Sequence, residues 1–259
     1  MSALIAAQLH ERRRSLLSWG LPLGVMAAFE VAIFPSIEAA LAKTISQYPE
    51  ALREAFGITE LSTVEQFLGA ELLGFIVPLA VGYLAVRSVA SGLSGAAESG
   101  RLDVLLSAPV SRRRLVAADF AAAALELAAV LAIALALCLL GSLLAGVGLS
   151  FGLALAGFVN VWPLALLFAG LGIVVTGFSL RTSVVTGSVA GVLVAMYVID
   201  LIGRLEPSLD AIRYASVLRY YGRAIENVVD PLAFVGVIAV AVLVAAVGGL
   251  LFERRDLSN

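Results

Sequence analysis

Five ionisable residues stand in, or at the ends of, long apolar runs: Glu30, Glu71, Asp119, Glu126 and Asp200. A carboxylate at membrane depth must pair, face a water-filled cavity or relay a proton, so each is a candidate transport residue. Glu126 lies deepest, about eleven residues into its run. A proton-coupled carrier would use Glu126 as the titrating group and Glu71 as relay. The plainer alternative puts Glu30 and Asp200 at the outer interface and Asp119 at the inner one. In that reading Glu126 faces the bundle interior.

Other chemistry is excluded by residue type. Lys43 is the only lysine and no G-x-x-x-x-G-K-[ST] loop occurs, so the chain builds no Walker-type nucleotide site. It contains no H-E-x-x-H zinc motif, G-x-S-x-G nucleophile elbow or G-x-G-x-x-G cofactor turn. His10 is the only histidine and Cys138 the only cysteine, which excludes a multi-histidine metal or haem site and an internal disulfide. We expect no cofactor on this chain and no catalysis by the chain alone. An ion gradient or another subunit must drive any transport.

The elements that position these residues are membrane helices. The chain is 61% hydrophobic and 14% charged, with a mean hydropathy of +1.03, far outside the range of soluble domains. About 20 apolar residues are needed to cross the hydrocarbon core. Six runs qualify: 16–37, 67–86, 115–140, 151–180, 184–202 and 232–252. Pro22, Pro78 and Pro163 fall inside runs and should kink them. The expectation is an all-α integral membrane protein of six spans forming a single domain over 1–259.

Arginine placement orients it. With the N-terminus inside, the inner segments carry 11 basic residues and the outer segments 6. Both termini are therefore expected inside. Residues 1–15 read as an amphipathic helix lying on the inner leaflet. The outer segment 38–66 mixes apolar and acidic residues, as short interfacial helices do. Outer segment 203–231 alternates apolar residues with tyrosine and arginine, which suits helices dipping into the outer leaflet, with Arg219, Tyr220 and Tyr221 as an outer gate.

Between the second and third runs lies a charged island with leucines at helical spacing: Glu98, Gly100, Arg101, Leu102, Leu105, Leu106, Pro109 and Arg112 belong to it. A loop that only joins two spans needs no such ridge, whereas one that docks a cytoplasmic partner does. The loop as a whole runs over 87–114, and Arg112, Arg113 and Arg114 serve either partner contact or topology. Two small-residue pairs, Gly20-x-x-x-Gly24 and Gly187-x-x-x-Gly191, let helix backbones approach closely and are expected to line an interface between subunits.

The island resembles the cytoplasmic loop of ABC-2-type transporter permeases, in which an acidic residue, glycine and leucines precede Pro-Val-Ser-Arg. Here these are Glu98, Gly100, Leu102, Leu105, Leu106 and then Pro109, Val110, Ser111 and Arg112. Leu218-Arg219-Tyr220-Tyr221 is similar to the family's aromatic outer segment, and 252–257 to its basic ending. Arg101 stands where the family often has a small polar residue. The resemblance implies a type V exporter-like permease fold in a prokaryotic plasma membrane. It also implies two copies of a separate ATPase that binds ATP and magnesium, a second permease subunit (identical or related), lipid partners and no nucleic acid. The island would be the coupling helix, and the cargo a hydrophobic or amphipathic drug, lipid, antibiotic or metabolite. A proton-driven carrier and a non-transporting scaffold that recruits a cytoplasmic partner are the alternatives.

Overall fold

The computed structural model describes residues 2–45, 47–49, 52–53, 63–101, 111–222 and 224–255. Among these residues six helices are long and apolar enough to cross a membrane. They are α1 (Ser2–Ile45), α2 (Val64–Glu98), α3 (Arg112–Ala145), α4 (Phe151–Phe178), α5 (Thr182–Leu205) and α6 (Pro231–Arg254). No strand occurs among the described residues. Each apolar run in the sequence coincides with one of these helices.

Local chemistry sets the helix ends. Thr63 and Gln66 form a reciprocal capping box at the start of α2, and the Ser111 side chain accepts from the backbone N–H of Arg114 at the start of α3. Asp230 accepts from the N–H groups of Leu232 and Ala233, with Pro231 in the first helical turn of α6. The left-handed φ of +68° at Gly146 stops α3, a conformation that costs glycine little. Within α2 two π-turns occur, Leu72–Ile76 and Ala90–Ser94. The first runs directly into Pro78. Proline lacks an N–H and crowds the carbonyl four residues back, and a widened turn accommodates both effects. By contrast, Pro22 and Pro163 sit inside helices that continue past them.

Contacts between helix ends show that the spans alternate in direction. Arg12 near the start of α1 meets Ser88 late in α2 and Asp119 early in α3. Arg255, just past α6, donates to the Thr176 and Gly177 carbonyls late in α4. Glu98 at the end of α2 meets Thr182 at the start of α5. The ends that carry Arg12, Arg112, Arg113 and Arg255 are thereby collected on one side, which the positive-inside rule makes cytoplasmic. At the opposite end, Phe34 of α1 packs on Phe67 of α2 with ring centroids 5.5 Å apart.

Two tight seams build the bundle: α1 along α3, and α4 along α6, with α2 bridging them. Gly20 faces Ile133, Gly24 faces Leu137 and Gly141 faces Ala28 across the first seam. Gly170 and Gly248 bring α4 and α6 together in the second. In its most apolar window α4 is 72% buried, against 22% for α5 and for α6, so the last two present faces to lipid or to another subunit.

Three expectations are corrected. The interfacial helix at 1–15 is not a separate element, because α1 runs unbroken from Ser2 to Ile45. Gly20 and Gly24 are buried against α3 of the same chain and leave no surface for an interface between subunits. In the 203–231 segment the helical pieces are a 3₁₀ helix, Pro207–Ala215, and a single turn, Leu218–Tyr221. As for 38–66, its first residues extend α1, and most of 46–62 lies outside the described residues.

Candidate functional site

At the cytoplasmic end α1 delivers a guanidinium into the bundle. Arg12 falls on the same helical stripe as Leu23, Ala27 and Val31, so the face that packs against α3 also buries the arginine. Its Nη2 donates to Asp119 Oδ1 at 2.5 Å and its Nη1 to Ser88 Oγ at 2.7 Å. Ser88 Oγ in turn donates to Glu126 Oε2 at 2.5 Å, which also lies 3.6 Å from Arg12 Nη1. Asp119 and Glu126 are two turns apart on one face of α3, and their side chains are 0% and 1% exposed. Two carboxylates taken out of water at one place need a cation, and Arg12 supplies it. Gly92, inside the second π-turn of α2, forms the opposite wall. A Cβ there would overlap the Asp119 carboxylate.

The charged island is tied down at both flanks. Glu98 accepts the backbone N–H and the hydroxyl of Thr182, each at 2.8 Å, and so caps the start of α5. Gly100 takes a φ of +70° and turns the chain away from α2. Arg101 reaches Glu11 of α1 at 3.1 Å, an exposed pair of small energetic weight but definite direction. On the far flank, Arg112 Nη1 donates to the carbonyls of Glu253 and Arg255 at 3.3 and 2.7 Å, which satisfies orphan groups at the end of α6. Arg113 pairs with Glu253 at 2.5 Å. The loop flanks therefore touch α1, α5 and α6. Leu102, Leu105, Leu106 and Pro109 lie outside the described residues.

The outer end is held by an arginine–aspartate cluster. Asp200, buried at the end of α5, accepts from Arg204 and Arg213, and Asp210 accepts from Arg213 and Arg219. The hydrogen bond from Arg213, with Arg219 close by, holds the Asp210 carboxyl below the usual aspartate range. Arg219 also lies 4.0 Å above the Tyr214 ring. Tyr220 is exposed, whereas Tyr221 turns inward and its hydroxyl donates to the Leu73 carbonyl of α2 at 2.9 Å. Burial pushes that hydroxyl's pKa up, so it remains a donor at all working pH values. Asn160 of α4 donates to the Tyr221 carbonyl. The expected pair at the lipid boundary is thus one outward and one inward tyrosine.

The plainer of the two sequence readings put Glu126 in the bundle interior and Asp119 at the inner end, but neither reading found the residue that joins them. Arg12 reads as one of three topology arginines, 107 positions from Asp119. The available signal was its phase on the apolar stripe of the first span. Glu71 is far from this cluster and lines the outer half of α2 with Phe75. Gly187 and Gly191 face open space on α5.

A comparison with curated proteins returned no match. Residues 2–253 match the family described as multidrug efflux system permease Rv1217c, C-terminal domain. That match runs from the first helix through the last, taking in Arg12, Asp119, Glu126 and both flanks of the island. The chain belongs to this multidrug efflux permease family.

Proposed function

We propose that the chain is the transmembrane permease subunit of an ATP-binding cassette exporter of the ABC-2 type, moving hydrophobic or amphipathic compounds out of a prokaryotic cell. The energy comes from a separate ATPase, two copies of which dock on the island at 98–112 and bind ATP and magnesium. A second permease subunit completes the path.

The anchoring of the island carries this reading. Its flanks are bonded to α5 through Glu98, to α1 through Arg101 and to α6 through Arg112. A partner that pushes on the loop acts on three spans at once. Leu102, Leu105 and Leu106 supply the apolar ridge for the partner's groove. Since α5 and α6 are the least covered spans, displacing their cytoplasmic ends changes the surface that faces the second subunit. Exposed Gly187 and Gly191 on α5 permit a close approach there.

The geometry speaks against the proton-driven alternative. Glu126 is bonded by Ser88 and faces the Arg12 guanidinium, a paired position that the exporter reading accounts for as structural. The test is dye efflux in proteoliposomes holding the permease and its ATPase. Efflux should require ATP and stop when the ATPase's Walker lysine is replaced. Efflux driven by a pH gradient with no ATPase present, and abolished by Glu126→Gln, would overturn the proposal.

A further inference from the structure

Between the outer half of α2, α5 and the segment returning to α6 lies a cavity of about 440 Å³, within the range that holds drug-sized ligands. Its walls are largely apolar. Phe75 and Tyr197 stand together there, ring centroids 5.2 Å apart and planes tilted by 53°, and Leu218 adds to the apolar surface. Gly74 also lines the cavity, and a Cβ there would press on the Gly69 carbonyl across the widened turn.

The polar groups in this wall differ in availability. Asp200 is occupied by Arg204 at 2.7 Å and Arg213 at 3.0 Å, so Arg204, which also lines the cavity, is held by a shared aspartate. The Tyr221 hydroxyl is donated to Leu73. Glu71 is different. It is exposed, and no residue among those described gives it a hydrogen bond or a counter-ion. The buried carboxyl of Glu30 in α1 is the acidic neighbour that Glu71 influences, and it offers no counter-ion.

Glu71 also has a built position. It immediately precedes the π-turn Leu72–Ile76, and in the widened helix Glu71, Gly74 and Phe75 are exposed together while Leu72 and Leu73 are buried. Single π-turns inside α-helices recur at functional sites because they re-aim side chains in this way. One carboxylate without a partner among the described residues, beside two aromatic faces in a roomy apolar cavity, matches a cation with an apolar body. Carboxylate and ring faces both attract the positive charge, and the remaining wall covers the hydrocarbon.

We propose that this outer cavity is a binding site for amphipathic organic cations, with Glu71 as counter-ion and Phe75 and Tyr197 as aromatic walls. This deepens the exporter reading and rests on it for the direction of movement, with the cavity as the last site before release. Binding itself needs no ATPase.

The experiment uses the full-length permease in neutral phosphatidylcholine nanodiscs and tritiated tetraphenylphosphonium as probe. Tetraphenylborate, of the same shape and opposite charge, is the competitor. Saturable binding is expected, weakened about tenfold by Glu71→Gln. Phe75→Leu and Tyr197→Leu should weaken it by roughly three- to tenfold, and tetraphenylborate should not compete. Glu71 is exposed and has no bond among the described residues, so its variant should purify as the parent does, and size-exclusion profiles check this. Unchanged affinity in Glu71→Gln, or equal competition by tetraphenylborate, would overturn the proposal. Because no ATPase is present, either result leaves the coupling mechanism to stand or fall separately.

Discussion

The Glu98 carboxylate at the end of α2 accepts both the backbone N–H and the hydroxyl of Thr182, at 2.8 Å each, so one span supplies the N-terminal cap of another. This bond crosses 84 positions in sequence and joins the island's flank to α5, one of the two least covered spans. Removing it should uncouple the loop from α5 before it unfolds anything. In Glu98→Ala we expect faster hydrogen exchange at residues 182–185 and less efflux per ATP hydrolysed. Glu98→Gln, which keeps an acceptor, should recover part of both.

The buried cluster around Arg12 should behave as a unit. Deleting one member of a buried ion pair leaves an unpaired charge, at a cost of about 3–5 kcal/mol. Arg12→Ala should therefore lower the thermal unfolding midpoint in detergent sharply. The double variant Arg12→Ala with Asp119→Ala should cost less than the sum of the two single variants. Additive effects would mean that the pair does not interact.

Gly92 and Gly187 offer a steric contrast. Alanine at Gly92 presses on the Asp119 carboxylate and should destabilise by about 1–3 kcal/mol, as overpacking does. Alanine at Gly187 or Gly191 meets nothing among the described residues, and should alter monomer stability by no more than about 0.5 kcal/mol. Leucine at Gly191 should shift the permease toward monomer in mass photometry, since the exposed α5 face is the proposed contact with a second subunit.

Much of this was legible in the sequence because membrane helices announce themselves locally. Six apolar runs gave six spans, and arginine counts oriented them. Helix-end signals such as Ser111, Asp230 and Gly146 also act where they stand. Non-local pairing was not legible. Arg12 looked like a topology charge because its partners lie on α2 and α3, and the break expected near residue 15 hid the stripe that carries it inward. Gly20 and Gly24 showed that a backbone would approach closely, and could not show that the backbone belongs to the same chain. Glu71 was visible as an acid in a span, but only the π-turn shows that it faces a cavity with Phe75.

The outer cluster predicts a pH response with a definite sign. Asp210 has its carboxyl lowered by the Arg213 hydrogen bond, so its contribution is fully present above the unfolded aspartate value. It is lost as the pH falls through the lower folded value. Protease resistance of the 207–215 segment should thus be flat from pH 5 to 8 and fall only under stronger acid. In Asp210→Asn the segment should be cleaved faster throughout, with no acid step.

The central claim is that the island docks a separate ATPase, and copurification tests it most directly. The tagged permease should retain its co-expressed ATPase partner, and Leu102→Asp or Leu105→Asp should release it while leaving the permease folded by size-exclusion chromatography. Normal retention of the ATPase by both variants would contradict the account.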